Sequence, residues 1–474
     1  MTTYRTIAGS AAQLRSGEIT AVELVEESIA NADRTDTEIG VYLRRFDDEA
    51  RAAAEKTDAA LKAGNDPGPL AGIPLGVKDI IATEGAPTTA QSLVLDAEWS
   101  AELGDAPVVA RLRAAGGVIA GKTTTMEFAT GVPDPEKPFP IPVNPWDTTR
   151  WAGGSSSGTG SGVVVGAFLG GLGTDTGGSI RMPAAFCGIS GHKPTFGLVP
   201  KSGCVPLAYS LDNIGPMART AEDCAIMLNA LAGFDPSDAC SADVAVPDYL
   251  GMLQPDLTGL RIGIDTLERF PTSFDEPEAF AALRAAAEVL ESLGATVVEV
   301  QVPYYEELCS AARITSRSES FAYHADDLAA RWDDYFRSTR RGVSGGAFYT
   351  AAEYVQAQRV RRVVQRALAE LYTTVDVVIT PTATVSAFLM DNLDSLQGER
   401  FVALRTNYWN GSGSPALSVP MGLSATGMPF GMQIVGRHFE DGTVLRVGDA
   451  YQRRTTWHER VPAGSQLVAA GSEE

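Results

Sequence analysis

Histidine is nearly missing from this chain. The 474 residues include four, His192, His324, His438 and His458, and no two of them stand three or four positions apart. That spacing excludes a helical pair of metal-ligating histidines, and it leaves a serine–histidine–aspartate triad only to long-range assembly. All four are read as surface or packing residues, and neither a metal nor an organic cofactor is expected. Cysteine is scarce as well. The five (Cys187, Cys204, Cys224, Cys240, Cys309) are odd in number and form no CxxC pair. They read as buried thiols in a reducing compartment.

Long apolar runs are absent too. The best candidate, 163–172, is short and broken by glycine, so no membrane span is expected. The N-terminal MTTYRTIAGSAAQLRSGE lacks the apolar core of a secretory signal, and the expected location is cytoplasmic. Positive charge is in deficit, with 38 Lys and Arg against 59 Asp and Glu, a net charge of −21. That balance argues against a nucleic-acid-binding surface.

Glycine, by contrast, is concentrated. Of the 48 glycines in the chain, 11 fall among the 26 residues from Gly153 to Gly178. An apolar run sits in the middle of that stretch, so it is no flexible linker. Glycine this dense implies close backbone approach or positive φ.

Elsewhere the chain alternates recognisable elements. Thr20 to Glu23 fits a capping box ahead of an apolar helical pattern, and a second helix is expected over about 47–62. The run LAGIPLGVKDII (70–81) carries a single lysine, Lys78. A helix over about 106–115 and a short strand at 118–120 follow, then an irregular, six-proline segment over 133–147. Helices are expected from about Thr220, over 277–294, in two long stretches (305–333 and 349–372) and over 443–453. Strands are expected at 260–264, 295–302, 376–379, 416–419 and 430–434. The βαβ rhythm implies a sheet covered by helices. With no linker or repeat in sight, one large domain is expected, in which about 305–400 interrupts the rhythm as a cover over the site. The tail from Gly464 reads as frayed.

Two motifs mislead. Gly116 to Thr123 fits the phosphate-binding pattern G-x-x-x-x-G-K-[ST], but a helix precedes it and strand-like residues occupy the loop itself. Gly154 to Gly158 fits G-x-S-x-G with Ser156 as an esterase-type nucleophile, but an elbow of that kind needs an apolar strand directly before it. The preceding VNPWDTTRWA is polar and interrupted by proline.

Ser179 stands in a better context. It follows Thr176, Gly177 and Gly178, and consecutive N–H groups after paired glycines converge into an anion-binding nest. A helix opening just beyond would add its dipole. Such a site suits a tetrahedral oxyanion. A serine nucleophile also needs a base. Lys78, in apolar surroundings, is a candidate, since burial disfavours its charged form; a surface lysine with a buried stem is the other reading. Residue pattern alone does not choose among Ser155, Ser156 and Ser157 for any helper role.

The segment GGSSSG…GTDTGGSIRMPAAFCGISGHKPT resembles the signature of the amidase signature family, serine hydrolases that cleave carboxylic amides. The match covers some forty residues and departs at Ser157, Thr159 and Gly160, where Gly, Ser and Ala are usual. It implies an α/β fold with a mixed, twisted sheet flanked by helices on both faces. It also implies Ser179 as nucleophile, Lys78 as base (from the GIPLGVKD run) and Ser155 as a proton relay after a cis Gly154–Ser155 bond. Thr176 to Ser179 then form the oxyanion hole, and Asp175 and Arg181 brace the loop. Met126, Glu127, Phe128 and Trp151 match positions near the substrate.

The expected substrate is a small amide or hydrazide. Phe321, Tyr323, Tyr349, Tyr354, Tyr408 and Trp409 lean towards an aryl or apolar acyl part. The alternatives are the Ser156 esterase and the glutamine-hydrolysing component of a tRNA-dependent amidotransferase, whose pocket would include Arg361. A homodimer is compatible with the first reading.

Overall fold

The structure is a computed structural model and describes residues 4–391, 393 and 401–462. Helix α1 (Ile7–Ser16) leads into α2 (Ala21–Ile39), whose capping box is formed as expected, with Thr20 and Glu23 each bonded to the other's backbone N–H. Strand β1 (Tyr42–Arg45) and α3 (Asp47–Lys62) follow. Next come β2 (Pro74–Lys78), α4 (Pro107–Ala114) and β3 (Val118–Thr123). β3 runs straight through Gly121, Lys122 and Thr123, which disposes of the phosphate loop: Lys122 is buried, bonded to Ile81 O and ion-paired to Asp79 at 3.2 Å.

The proline-rich segment ends in a small hairpin, β4 (Val143–Asn144) with β5 (Asp147–Trp151). The glycine-rich stretch then folds as helix α5 (Ser157–Val165), strand β6 (Gly170–Asp175) and helix α6 (Arg181–Cys187). A helix holding three glycines goes against intrinsic propensity; packing explains it. A Cβ on Gly158 would lie 2.4 Å from Val41 O, and one on Gly162 would lie 2.2 Å from the Phe168 ring.

The remaining elements are β7 (Ser190–Lys193), β8 (Asn213–Ala218), α7 (Ala221–Leu231), β9 (Arg261–Ile264), α8 (Pro277–Ser292) and β10 (Thr296–Glu299). Three consecutive helices, α9 (Tyr305–Ala330), α10 (Arg337–Ser344) and α11 (Ala351–Leu371), replace the βα alternation. The chain rejoins the sheet at β11 (Val377–Pro381) and ends with α12 (Asn407–Ser412), β12 (Ala416–Leu423), β13 (Pro429–Gly436) and α13 (Asp441–Arg454). The tail expected to fray lies outside the described residues.

Eleven strands form one mixed sheet in the order β1-β3-β2-β6-β8-β7-β12-β13-β11-β9-β10. The β9–β10 pair is parallel, as the βαβ rhythm implied, and so are β2–β3 and β2–β6. Helices flank the sheet. One buried cluster joins α1, α2, α4, α7, α8 and α13 to the strands through residues such as Ile7, Leu24, Leu228 and Ile434. A second gathers Val163, Ile180, Ala184 and Met217 around Phe168, and a third packs α9 and α11 onto Tyr408 and Trp409. The catalytic candidates sit where β2 and β6 lie side by side at the sheet's interior.

Candidate active site

Lys78 is the last residue of β2, a strand buried along its whole length between β3 and β6. Its side chain has no route to solvent, at 0% exposure. The Nζ lies 2.6 Å from Ser155 Oγ, 2.8 Å from Thr174 Oγ1 and 3.0 Å from Ser156 Oγ. Hydroxyls solvate an amine but supply no countercharge, so burial controls its ionisation and lowers its pKa to about 7, against the pull of more distant Asp175 and Asp212.

The serines reach this amine from the loop before α5. The Gly154–Ser155 peptide bond is cis. Gly154 packs so closely that a Cβ would lie 2.6 Å from Trp151 Cζ2 and 3.1 Å from Met126 Cγ. Met126 N–H donates to Ser155 O at 3.2 Å, and Ser156 N–H donates to Ser179 O at 3.2 Å, which ties the two serine segments together. Ser156 is locked between Lys78 and the backbone of Thr174, donating to its carbonyl and accepting from its N–H. It is fully buried, a poor position for the nucleophile of an esterase elbow. Ser155, Ser156, Ser157 and Thr174 are all buried, whereas Ser179 is partly exposed. It is the most exposed residue of this set.

The loop carrying Ser179 is held by an ion pair with both partners fully buried. Asp175 meets Arg181 at 2.9 Å. Burial alone would raise the Asp175 pKa, but the Arg181 charge outweighs it and holds the carboxyl well below the usual range. Arg181 is anchored in turn by Thr406 O and Asn410 Oδ1. Gly178 has φ +134°, and a Cβ there would lie 2.1 Å from Thr406 Oγ1, so glycine is obligatory.

This network engages groups on which two of the expectations draw. Asp175 accepts the N–H groups of Gly178, Ile180 and Arg181. The Gly178 N–H and the start of α6 therefore both face this carboxylate. The N–H groups of Thr176, Gly177 and Ser179 stay outside that carboxylate's grip. Thr176 is positioned through its side chain, which donates to Asp212 at 2.5 Å.

The four substrate-side residues divide. Met126 and Trp151 line Gly154, as described. The Glu127 carboxylate instead accepts from Ser92 Oγ at 2.7 Å and from Phe336 N–H at 2.7 Å, just ahead of α10, and burial raises its pKa to about 7. Phe128, at positive φ, packs against His324 and Tyr335. These two residues connect the site to the helices over 305–344 and do not turn towards the serines. Tyr408 and Trp409 are fully buried core, and Tyr354 is bonded to Glu319, which removes most of the basis for an aryl preference. Thr174 and Asn410 were missed; a threonine inside GTDTGGS and an asparagine 235 residues beyond Asp175 carry no sequence signal of their roles.

Arg361 makes four hydrogen bonds within the protein. It donates to Gly411 O at 3.0 Å, to Gln358 Oε1 at 2.8 Å and to Ser210 Oγ and O at 3.3 and 3.2 Å. The histidines also have other work. His192 bonds Asp441, His324 bonds Tyr335 and His438 bonds Ser412 O. Among the described residues no cluster of His, Cys, Asp or Glu suits a metal ion, and no helix is long and apolar enough to cross a membrane.

Comparison with known proteins gives one answer at the level of family. The model of the amidase family matches residues 23–445. A glutamyl-tRNA(Gln) amidotransferase subunit from Chloroflexus aggregans is 41% identical, over 97% of this chain and 98% of its own. A solved structure reported as a vestigial complex bearing on the origins of an s-triazine catabolic enzyme superposes with a TM-score of 0.87 at 32% identity, over 95% of this chain and 98% of that one. A peptide amidase bound to the inhibitor chymostatin gives 0.83 at 28% identity, over 96% and 98%. The chain belongs to the amidase family, whose signature the Gly153–Thr195 stretch carries.

Proposed function

We propose that this protein hydrolyses the C–N bond of a carboxylic amide through an acyl-enzyme on Ser179. The observation that carries the proposal is a buried, countercharge-free amine 2.6 Å from the Ser155 hydroxyl, beside a loop whose serine is partly exposed. Uncharged Lys78 takes a proton from Ser155 as Ser155 takes one from Ser179. Ser179 Oγ then attacks the acyl carbon. The N–H groups of Thr176, Gly177 and Ser179 receive the oxyanion, fixed beforehand by Asp175, Arg181 and Thr406. The same relay returns a proton to the departing nitrogen, and water enters to release the acyl group. The helices over 305–371 form the cover. Free cysteines suit the reducing cytoplasm.

Two identities for the amide rest on different observations. The relatives favour glutamine, hydrolysed within an amidotransferase complex, because the similarity to the Chloroflexus protein extends over nearly the whole of both chains. The placement of Arg361 favours a small amide or hydrazide without a carboxylate, because four of its five N–H donors already serve Gly411, Gln358 and Ser210. Ammonia or hydrazine release from glutamine, simple amides and hydrazides, measured with wild type and Ser179→Ala, separates these readings. Release that survives in Ser179→Ala would remove the nucleophile from the proposal.

A further inference from the structure

Arg219 follows β8 directly and is 1% exposed. A guanidinium carries five N–H donors and a charge that persists at neutral pH; burial brings its pKa down only to about 10. Nη2 reaches the carbonyls of Val163 and Val164, at 3.3 and 3.4 Å, where α5 ends. Nε and Nη1 are buried without a partner. The Tyr4 ring lies 4.5 Å from the guanidinium carbon. Asp223 is the neighbouring acid, but its Oδ1 accepts the Ala8 N–H at 2.9 Å and its Oδ2 has no partner. Arg219 forms no ion pair among the described residues. Buried charges are ordinarily paired.

A small recess adjoins this group, lined in part by Tyr4, Arg5, Glu27, Ser28, Asn31 and Arg219. Three of the polar side chains are spoken for. Arg5 pairs with Glu27 at 2.9 Å, and Asn31 donates to Gly166 O at 3.0 Å. What is left to meet a ligand is the Arg219 guanidinium, with the hydroxyls of Tyr4 and Ser28 near it.

We propose that this recess binds a small oxyanion, a carboxylate or phosphate group, through Nε and Nη1 of Arg219. Charge-assisted hydrogen bonds of that kind are the strong ones. The site is separate from the serines: α5 spans the distance, beginning at Ser157 and ending at the carbonyls that Arg219 contacts. The inference does not depend on the identity of the amide.

The test is thermal unfolding of the full chain at fixed pH and ionic strength in chloride, acetate or inorganic phosphate. A saturable rise in Tm in acetate, in phosphate or in both, relative to chloride, is expected, and it identifies which anion is held. The rise should vanish in Arg219→Met. Ser28→Leu, which fills the recess and keeps the arginine, should also lose it and covers the case in which the first variant does not fold. Equal Tm values in the three salts, or an undiminished response in a folded variant, overturn the proposal.

Discussion

Lys78 Nζ and Ser155 Oγ lie 2.6 Å apart, and both residues are buried. With the lysine pKa lowered to about 7 by burial, the base form is lost as pH falls through that value. The kcat/KM profile is expected to rise with pH and level off above about 7, since it reports the free enzyme. Lys78→Ala should lose about 10²–10⁴-fold above pH 7, and its rate should no longer fall through pH 7. A wild-type profile flat from pH 5 to 9 would count against the amine as base.

The same burial bears on stability. Between about 7 and the ordinary lysine value, the folded chain holds fewer protons at Lys78 than the unfolded chain. Stability from this group therefore rises with pH across that window. Lys78→Met abolishes the term. Its stability relative to wild type, measured by urea unfolding, should be greater at pH 7 than at pH 10.

Thr174→Val tests the missed partner of the lysine. The threonine hydroxyl lies 2.8 Å from Nζ, and valine keeps the shape without it. The expected effect is a roughly tenfold fall in kcat, for a hydrogen bond worth about 1–1.5 kcal/mol, with KM little changed. A shift confined to KM would place Thr174 in substrate binding instead.

Asp175→Asn removes one half of a fully buried ion pair and leaves Arg181 charged. Losing one partner of such a pair costs about 3–5 kcal/mol. Denaturant unfolding should show a loss of that order together with lost activity. A stable Asp175→Asn with normal turnover would mean the pair neither braces the loop nor holds the nest.

How much of this was visible in the sequence varies from residue to residue. The segments around Lys78, Ser155 and Ser179 carry the family signature, and the structure brings the first two into contact and the third beside them. The Thr20 cap and the β9–α8–β10 unit follow local rules and formed as expected. The hidden parts depend on tertiary contact. α5 carries its glycines because Val41, Thr124 and Phe168 leave no room for a Cβ at Gly158 and Gly162. β7 and β8 were missed because glycine or proline interrupts the pattern of each. Nothing local reveals that Asp175 folds back to take the Gly178 N–H.

Arg361 separates the two substrate readings. Its donors bind protein atoms, so Arg361→Met should lower Tm while changing KM for a neutral amide less than about threefold. A charge-assisted contact to glutamine's carboxylate would be worth about 1.5–3 kcal/mol. A rise of a hundredfold in the glutamine KM with unchanged Tm would favour the amidotransferase reading.

The most direct test of the central claim is to trap the acyl-enzyme. A slowly turned-over amide or activated ester, quenched during turnover, should leave its acyl group on the tryptic fragment 151–181, which contains all four candidate serines. Fragmentation by mass spectrometry is predicted to place it on Ser179 and to find none in Ser179→Ala. An acyl group on Ser155, Ser156 or Ser157, or one that persists in Ser179→Ala, would contradict the account.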